Sequence, residues 1–213
     1  METFYILDLM SKEYFKYGEK ELNHLCLCDE KMKNLINQYG FIKREVFKDF
    51  YFNFIYNIIS QQISLQAKDT IIKRLIDKVN DITVENIINL SIDEFKELGI
   101  SNRKANYILE FSDLIINKEI DLDDLKNLPT DKFIEVLTKC KGVGIWTAEM
   151  LLIFTCLRED ILSYNDYGIR KGICLLYGLD SVSKKDFEYY KELYSPYGTV
   201  ASFYLWELAS KTN

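Results

Sequence analysis

Residues that interrupt helices are scarce, since the 213-residue chain contains 2 prolines and 9 glycines. Together with many short apolar repeats, this scarcity indicates an all-α protein. Hydrophobic residues make up 48% of the chain and charged residues 28%. A chain of this length and composition can bury a sizeable core, either as one globular unit or as two closely packed lobes.

Long apolar segments are also missing. No apolar run reaches the length that spans a membrane, and the acidic, polar segment Met1 to Lys20 lacks the core of a signal peptide. We therefore expect a cytoplasmic protein that has no membrane partner.

Cysteine is present in an odd number, which argues against a disulfide framework. The five thiols show no paired metal-binding spacing, and Cys26 and Cys28 form only a C-x-C without a second pair nearby. We expect all of them to be reduced.

The chain lacks the positive charge of a protein that coats DNA, because its formal net charge is −6. A local basic face is still compatible with this total, since part of the acidic excess falls at Glu119 to Asp124. The segment between Leu137 and Gly172 includes the cations Lys139, Lys141, Arg170 and Lys171.

The first motif is a glycine turn, Gly142-Val143-Gly144, between the apolar-periodic segments Phe133 to Leu137 and Trp146 to Phe154. This pattern predicts a helix, a tight turn and a second helix. Glycine lets the backbone approach a ligand, and the N–H groups that begin the next helix form an anion site. Any short helical hairpin also needs a turn, so on its own the motif is weak evidence of function.

The second motif is Asp166 at the start of a further helix, which is marked by Ile169, Ile173 and Leu176 at helical spacing. Aspartate is a favoured N-cap, and most such residues only cap. Asp166 alone therefore does not distinguish catalysis from capping.

Taken together, KGVGIWTAEMLLIF and NDYGIRKG resemble the helix-hairpin-helix (HhH-GPD) DNA glycosylases, most closely the AlkA-like 3-methyladenine DNA glycosylase II family. The resemblance covers most of the chain, from about residue 45 to residue 206. Further matching segments are Ile58 to Ser64, Leu98 to Ser101 with Lys104 and Ala105, Ser195 to Tyr197, and Tyr204 to Trp206.

The resemblance implies an all-α HhH-GPD fold, with two helical lobes and the active-site cleft between them. We expect residues 1–213 to form a single glycosylase unit. Its hairpin lobe would cover about residues 50–158, and the second lobe residues 1–49 together with 159–213. Some relatives carry an additional N-terminal β-rich domain, and we expect no full copy of it here.

In this family the hairpin grips the DNA backbone through main-chain N–H groups, without reading sequence. The matching residues are Gly142, Gly144 and Thr147, with Lys139 and Lys141 adding a salt-dependent contribution. Arg170 and Lys171 would contact phosphate or would be ordinary surface charges. Arg103 and Lys104 leave the same two alternatives open.

The family also suggests the ligands. The expected partner is double-stranded DNA with damaged bases, bound by a monomer. A monovalent Na or K ion at the hairpin backbone, near Cys140 and Gly142, is the only ion implied. An iron–sulfur cluster, which some relatives carry, is not expected because no cysteine follows Cys174.

The polar cluster Ser60-Gln61-Gln62 interrupts an apolar helical pattern and on its own reads as a solvated turn or helix start. In relatives this region supplies the side chain that fills the gap left by a flipped base, and Gln62 falls at that position. Gln61 and Gln62 are therefore the candidates for intercalation.

Trp146 stands where bifunctional members place the lysine that forms a Schiff base, so we expect base removal without strand cleavage. A tryptophan face attracts cationic rings such as alkylated purines. Trp146, Trp206 and Met150 would line the base pocket, although both tryptophans fit an ordinary core as well. The best-known relatives have tyrosine at the position of Met150, which leaves the base preference open.

The resemblance assigns catalysis to Asp166, either by activating water or by stabilising an oxocarbenium-like sugar. The function implied is that of a monofunctional DNA glycosylase of base excision repair, acting on 3-methyladenine and 7-methylguanine. The alternatives are a glycosylase for another damaged base and a non-catalytic HhH module that binds DNA.

Overall fold

A computed structural model describes residues 13–211, and they are mostly helical, which confirms the predicted all-α class. Strand structure within these residues is limited to the two-stranded sheet of β1 and β2. The elements are β1 Glu13–Tyr14, α1 Glu19–Cys28, α2 Glu30–Tyr39, β2 Glu45–Val46, α3 Phe50–Ser60, α4 Leu65–Val79, α5 Val84–Ile88, α6 Ile92–Glu97, α7 Asn102–Ile116, α8 Leu122–Asn127, α9 Thr130–Leu137, α10 Ile145–Phe154, α11 Tyr167–Tyr177, α12 Lys184–Tyr194 and α13 Gly198–Lys211.

The chain divides into two compact units. Among the described residues, unit 1 comprises Glu13 and Phe47–Cys156, and unit 2 comprises Tyr14–Val46 and residues 157–211. The assignment of residues 1–12 to the second lobe lies outside the described residues. None of the helices between residues 13 and 211 has the length and apolar character needed to cross a membrane.

Unit 1 is built around α3, which is buried along most of its length. Asp49 starts this helix by accepting a hydrogen bond from the Phe52 main-chain N–H at 2.6 Å. The ring of Phe54 stacks on Phe111 of α7, with 3.8 Å between the ring centroids. Burial of each such side chain contributes about 1.5–3 kcal/mol, so this packing fixes α7 against α3.

A buried polar chain fixes α10 against α3. Asn57 Nδ2 donates to Asn53 Oδ1 at 2.9 Å, and Asn53 Nδ2 donates to Thr155 Oγ1 at 2.6 Å, just beyond the end of α10. Since a buried amide without partners is costly, these bonds define how the second hairpin helix lies on α3.

Unit 2 depends on the close approach of α11 and α13. A Cβ added to Gly172 would lie 2.4 Å from the Leu205 carbonyl oxygen, so only glycine permits this packing distance. Ile169 and Ile173 are fully buried on the same helix. The Tyr204 hydroxyl of α13 donates to the Gly40 carbonyl at 2.8 Å, which ties α13 to the end of α2.

Candidate functional site

The hairpin turn of unit 1 lies between α9 and α10. It is closed by hydrogen bonds from Cys140 N to Leu137 O at 3.0 Å and from Val143 N to Cys140 O at 3.2 Å. Gly142 has φ +80°, a left-handed conformation that favours glycine. A Cβ at Gly142 would also lie 2.1 Å from the ring of Tyr107. The first glycine of the motif is therefore required by both conformation and space.

The second glycine has a different role. Gly144 is exposed, has φ −95°, and would have open space around an added Cβ. As the N-cap of α10 it has no side chain to satisfy the first-turn N–H groups, which is the arrangement that suits an anion at a helix start. Thr147, also predicted to bind phosphate, is only 2% exposed. Among Gly142, Gly144 and Thr147, only Gly144 is exposed.

The two hairpin lysines are exposed and already paired with carboxylates. Lys139 Nζ lies 3.2 Å from Glu135, and Lys141 Nζ lies 2.7 Å from Glu110. Ion pairs at a surface contribute about 0–1 kcal/mol. A phosphate can therefore replace these partners at little cost.

The carbonyls suggested for a monovalent cation belong to Cys140 and Gly142. The first accepts from Val143 N, and the second accepts from Gln61 Nε2 at 2.9 Å. A carbonyl oxygen has two lone pairs, so each can still accept one further contact. Burial raises the pKa of the Cys140 thiol, which favours its main-chain oxygen over its sulfur as a ligand.

The wedge loop, Gln61 to Ile63, joins α3 and α4. Gln62 is exposed and has φ +58°, an uncommon conformation for a residue other than glycine. The Gln61 amide is held by the hairpin through its bond to Gly142, so the two glutamines differ: one is anchored and the other is exposed. Lys104 donates to the carbonyls of Ile59 and Gln61.

The two pocket candidates of unit 1 lie on α10. Trp146 is half-buried in the first turn, and Met150 is 4% exposed one turn later. Residues four apart lie on the same face of a helix. Trp146 is therefore the more accessible of the two, and Met150 lies deeper on that face.

Asp166 is the N-cap of α11 in unit 2 and is 8% exposed. Its Oδ1 accepts the main-chain N–H of Ile169 at 2.8 Å, which is the ordinary capping bond. The same oxygen accepts Trp206 Nε1–H, also at 2.8 Å. Capping needs only the first bond, so the second indicates that the carboxylate is held in a defined orientation.

Trp206 is itself fixed by its surroundings. Phe203 stacks on its ring at 6.1 Å between centroids, and the Arg44 guanidinium lies over the ring at 5.8 Å. A Cβ on Gly168 would lie 2.8 Å from Trp206 Cδ1, so glycine is needed for the indole to reach Asp166. Sequence reasoning gave Gly168 no role, although the spacing of Gly168 and Gly172 is typical of close helix packing.

The other predicted residues of unit 2 are directed at its own main chain. Arg170 Nη1 donates to the Tyr164 carbonyl, and Lys171 Nζ donates to the Ala209 carbonyl at 3.0 Å. Beside Asp166, Tyr167 is 72% exposed. The sequence predictions gave Tyr167 no role. It is the first residue of α11, and packing in the core does not explain an aromatic residue at this exposed position.

The comparisons with known proteins agree with these motifs. Residues 55–196 match the model of the HhH-GPD superfamily base excision DNA repair proteins. The chain belongs to the HhH-GPD superfamily. The resemblance to the AlkA-like family is confirmed as well, by the relatives that follow.

The chain is 30% identical to DNA-3-methyladenine glycosylase 1 of Schizosaccharomyces pombe over 192 residues, which is 86% of this chain and 84% of that protein. The crystal structure of a DNA-3-methyladenine glycosidase from Bacillus halodurans superimposes with a TM-score of 0.83, at 29% identity and 94% coverage of both chains. The 3-methyladenine DNA glycosylase of Schizosaccharomyces pombe in complex with abasic DNA gives 0.80, at 30% identity, covering 89% of this chain and 96% of that one.

The HhH-GPD match includes the wedge loop, the hairpin and Asp166, and it ends before Trp206. The indole N–H that orients Asp166 therefore comes from outside the matched segment. No group of three or more His, Cys, Asp or Glu side chains between residues 13 and 211 is arranged to hold a metal ion.

Proposed function

We propose that this HhH-GPD protein is a monofunctional DNA glycosylase that removes alkylated purines, such as 3-methyladenine and 7-methylguanine, from double-stranded DNA. The names of its relatives support this proposal, since the similar proteins of Schizosaccharomyces pombe and Bacillus halodurans are 3-methyladenine glycosylases. DNA as the partner is supported by the relative solved with abasic DNA.

The observation that carries the proposal is that the Asp166 carboxylate accepts two hydrogen bonds. Cleavage of an N-glycosidic bond develops positive charge on the sugar, and a preorganised negative group lowers that barrier. Two N–H donors at 2.8 Å fix the direction of this carboxylate. A group that only capped α11 would need no indole beside it.

The substrate class follows from the aromatic residues. Purines alkylated at N3 or N7 are cationic, so they leave without a general acid and are attracted to an aromatic face. Trp146, with Met150 on the same helix face, would receive the flipped base. Trp206 would offer only its ring to a base, because its N–H is bonded to Asp166.

Base removal would occur without strand cleavage. Trp146 occupies the position of the Schiff-base lysine of bifunctional members and has no amine. The nearby Lys141 precedes the turn and is paired with Glu110 at 2.7 Å. Borohydride should therefore trap no covalent adduct between the protein and DNA. A trapped adduct would show that the protein forms a Schiff base and is bifunctional.

The hairpin would hold the DNA backbone through the main chain of Gly142, Gly144 and Thr147, assisted by Lys139 and Lys141. The carbonyls of Cys140 and Gly142 would hold a monovalent cation there. Arg170 and Lys171 would contact a phosphate by exchanging their carbonyl partners for it. Binding should be independent of sequence and should weaken with added salt.

The test is single-turnover release of methylated purines from alkylated duplex DNA by the wild type and by Asp166→Asn, with melting temperatures for both. Asparagine caps a helix about as well as aspartate, so the substitution removes the charge and keeps the cap. We expect release by the wild type and none by the folded variant. If neither protein releases a base while both bind DNA, the protein is a binding module or acts on another lesion.

A further inference from the structure

The conformation of the wedge loop raises the question of what maintains it. Gln62 is exposed and lies in the left-handed region at φ +58°, which costs a residue with a Cβ about 1–2 kcal/mol. Such a conformation persists only where the surrounding structure enforces it. Because the side chain of Gln62 is exposed, its own burial does not enforce it.

The carbonyls on the α3 side of Gln62 are held by one lysine. Lys104 Nζ donates to the carbonyl of Ile59 and to the carbonyl of Gln61, each at 2.7 Å. These oxygens belong to the end of α3, where helix carbonyls lack intrahelical partners and a cation is favoured. The lysine thus binds the two carbonyls that lead directly into Gln62.

Lys104 is not an ordinary surface charge. It is half-buried in the first turn of α7, and it takes part in no ion pair within residues 13–211. Burial, and then the charge of Arg103, lower the pKa of Lys104. A partly desolvated cation that binds two carbonyls holds the backbone there.

The other side of the loop is held by the hairpin. Gln61 Nε2 donates to the Gly142 carbonyl at 2.9 Å, across 81 positions of the chain. Gly142 is in turn fixed by its left-handed conformation and by the ring of Tyr107. Lys104 and Gln61 therefore hold the wedge loop between α7 and the phosphate-binding turn.

Resting on the proposed function, we infer that Lys104 and Gln61 are positioning residues that hold Gln62 ready to enter the DNA stack. Order established during folding does not have to be created when DNA binds, so base flipping gains from it. Lys104 acts through the loop and contacts no phosphate.

The experiment compares Lys104→Met with the matched variant Arg103→Met in the full chain. Arg103 is the adjacent exposed cation, so both changes remove one charge, but only the first removes the carbonyl bonds. The probe is a duplex with 2-aminopurine beside a tetrahydrofuran abasic analogue, whose fluorescence rises when an inserted side chain unstacks it. Gln62→Gly, which deletes the wedge side chain, should abolish the rise.

We expect Lys104→Met to lower the affinity for this duplex and the single-turnover rate by about 10-fold to 100-fold, the usual effect of losing charged hydrogen bonds. Its fluorescence rise should be lost. Affinity for undamaged DNA, and the salt dependence of that affinity, should match the wild type. Arg103→Met should keep the full fluorescence rise.

The inference is overturned if Lys104→Met keeps the rise and instead reduces the salt slope by about one, as loss of a phosphate contact would. If Lys104→Met does not fold, Gln61→Ala replaces it and should lose the rise while still binding undamaged DNA. A wild type that gives no Gln62-dependent rise also overturns the inference. A wild type that gives the rise but releases no purine refutes the proposed function alone.

Discussion

Replacement of the two hairpin glycines by alanine should have different effects on stability and on DNA binding. At Gly142 the new Cβ faces a backbone with φ +80° and a ring 2.1 Å away. The left-handed conformation costs about 1–2 kcal/mol for a residue with a Cβ, and overpacking costs about 1–3 kcal/mol. Gly142→Ala should therefore destabilise unit 1 by about 2–5 kcal/mol, a large part of the usual 5–15 kcal/mol.

At Gly144 an added Cβ meets nothing within 4 Å, and φ is −95°. Because alanine is less favourable than glycine at an N-cap, Gly144→Ala should cost about 0.5–1 kcal/mol, clearly less than Gly142→Ala. It should nevertheless weaken DNA binding, because the Cβ stands where a phosphate would approach the N-terminus of α10. Comparing the two variants therefore separates the contribution of the turn to stability from its contribution to DNA binding.

The assay is urea unfolding followed by the fluorescence of Trp146 in a Trp206→Phe background, so that the signal reports unit 1. Tyr107→Ala is the control, because it removes the ring that the new Cβ would meet. In that background Gly142→Ala should cost only the conformational part, about 1–2 kcal/mol. Equal costs with and without the ring would refute the steric argument, and a harmless Gly142→Ala would refute both parts.

Three further changes test unit 2 and the helix caps. Trp206→Phe removes the N–H bonded to Asp166 and should reduce the single-turnover rate about 10-fold, with DNA affinity unchanged; an effect on affinity alone would make Trp206 a binding residue. Gly172→Ala should lower the melting temperature of unit 2, since its Cβ would lie 2.4 Å from a main-chain oxygen of α13; an unchanged melting temperature would show that the helices separate easily. Hydrogen bonds from Lys78, and then from the main-chain N–H and the hydroxyl of Ser91, lower the pKa of Glu94 to about 2. Its stabilisation is present above pH 4.5 and lost toward pH 2, so the melting temperatures of wild type and Glu94→Gln should converge over that window; a constant difference would contradict this.

Local features of the fold were predictable because they depend on neighbouring residues. Asp29 caps α2 and Gly40 follows its end, as their residue types predict. Ser91 and Ser101 cap α6 and α7 for the same reason. Asp166 begins α11, as its position before an apolar-periodic segment predicts.

The contacts that define the site join residues far apart in the chain, and no local pattern encodes them. Trp206 donates a hydrogen bond to Asp166 across 40 positions of the chain. The sequence itself shows only that one residue is aromatic and the other acidic. Lys104 reaches the Gln61 carbonyl across 43 positions, and sequence reasoning saw it only as a surface charge or a phosphate contact. Such pairings follow from how helices pack, which residue type alone does not determine.

The acidic net charge is consistent with DNA binding when the contacts of individual cations are considered. Lys104, Arg170 and Lys171 keep their charge but donate to main-chain carbonyls of the protein, so none of them presents an unbonded side chain to a phosphate before DNA binds. The proposed grip depends instead on the N–H groups at the start of α10, whose partial positive charge is independent of side chains. A chain with a formal charge of −6 can therefore hold a phosphate backbone at one turn while the rest of its surface stays acidic. Repulsion from that surface opposes non-specific coating of DNA.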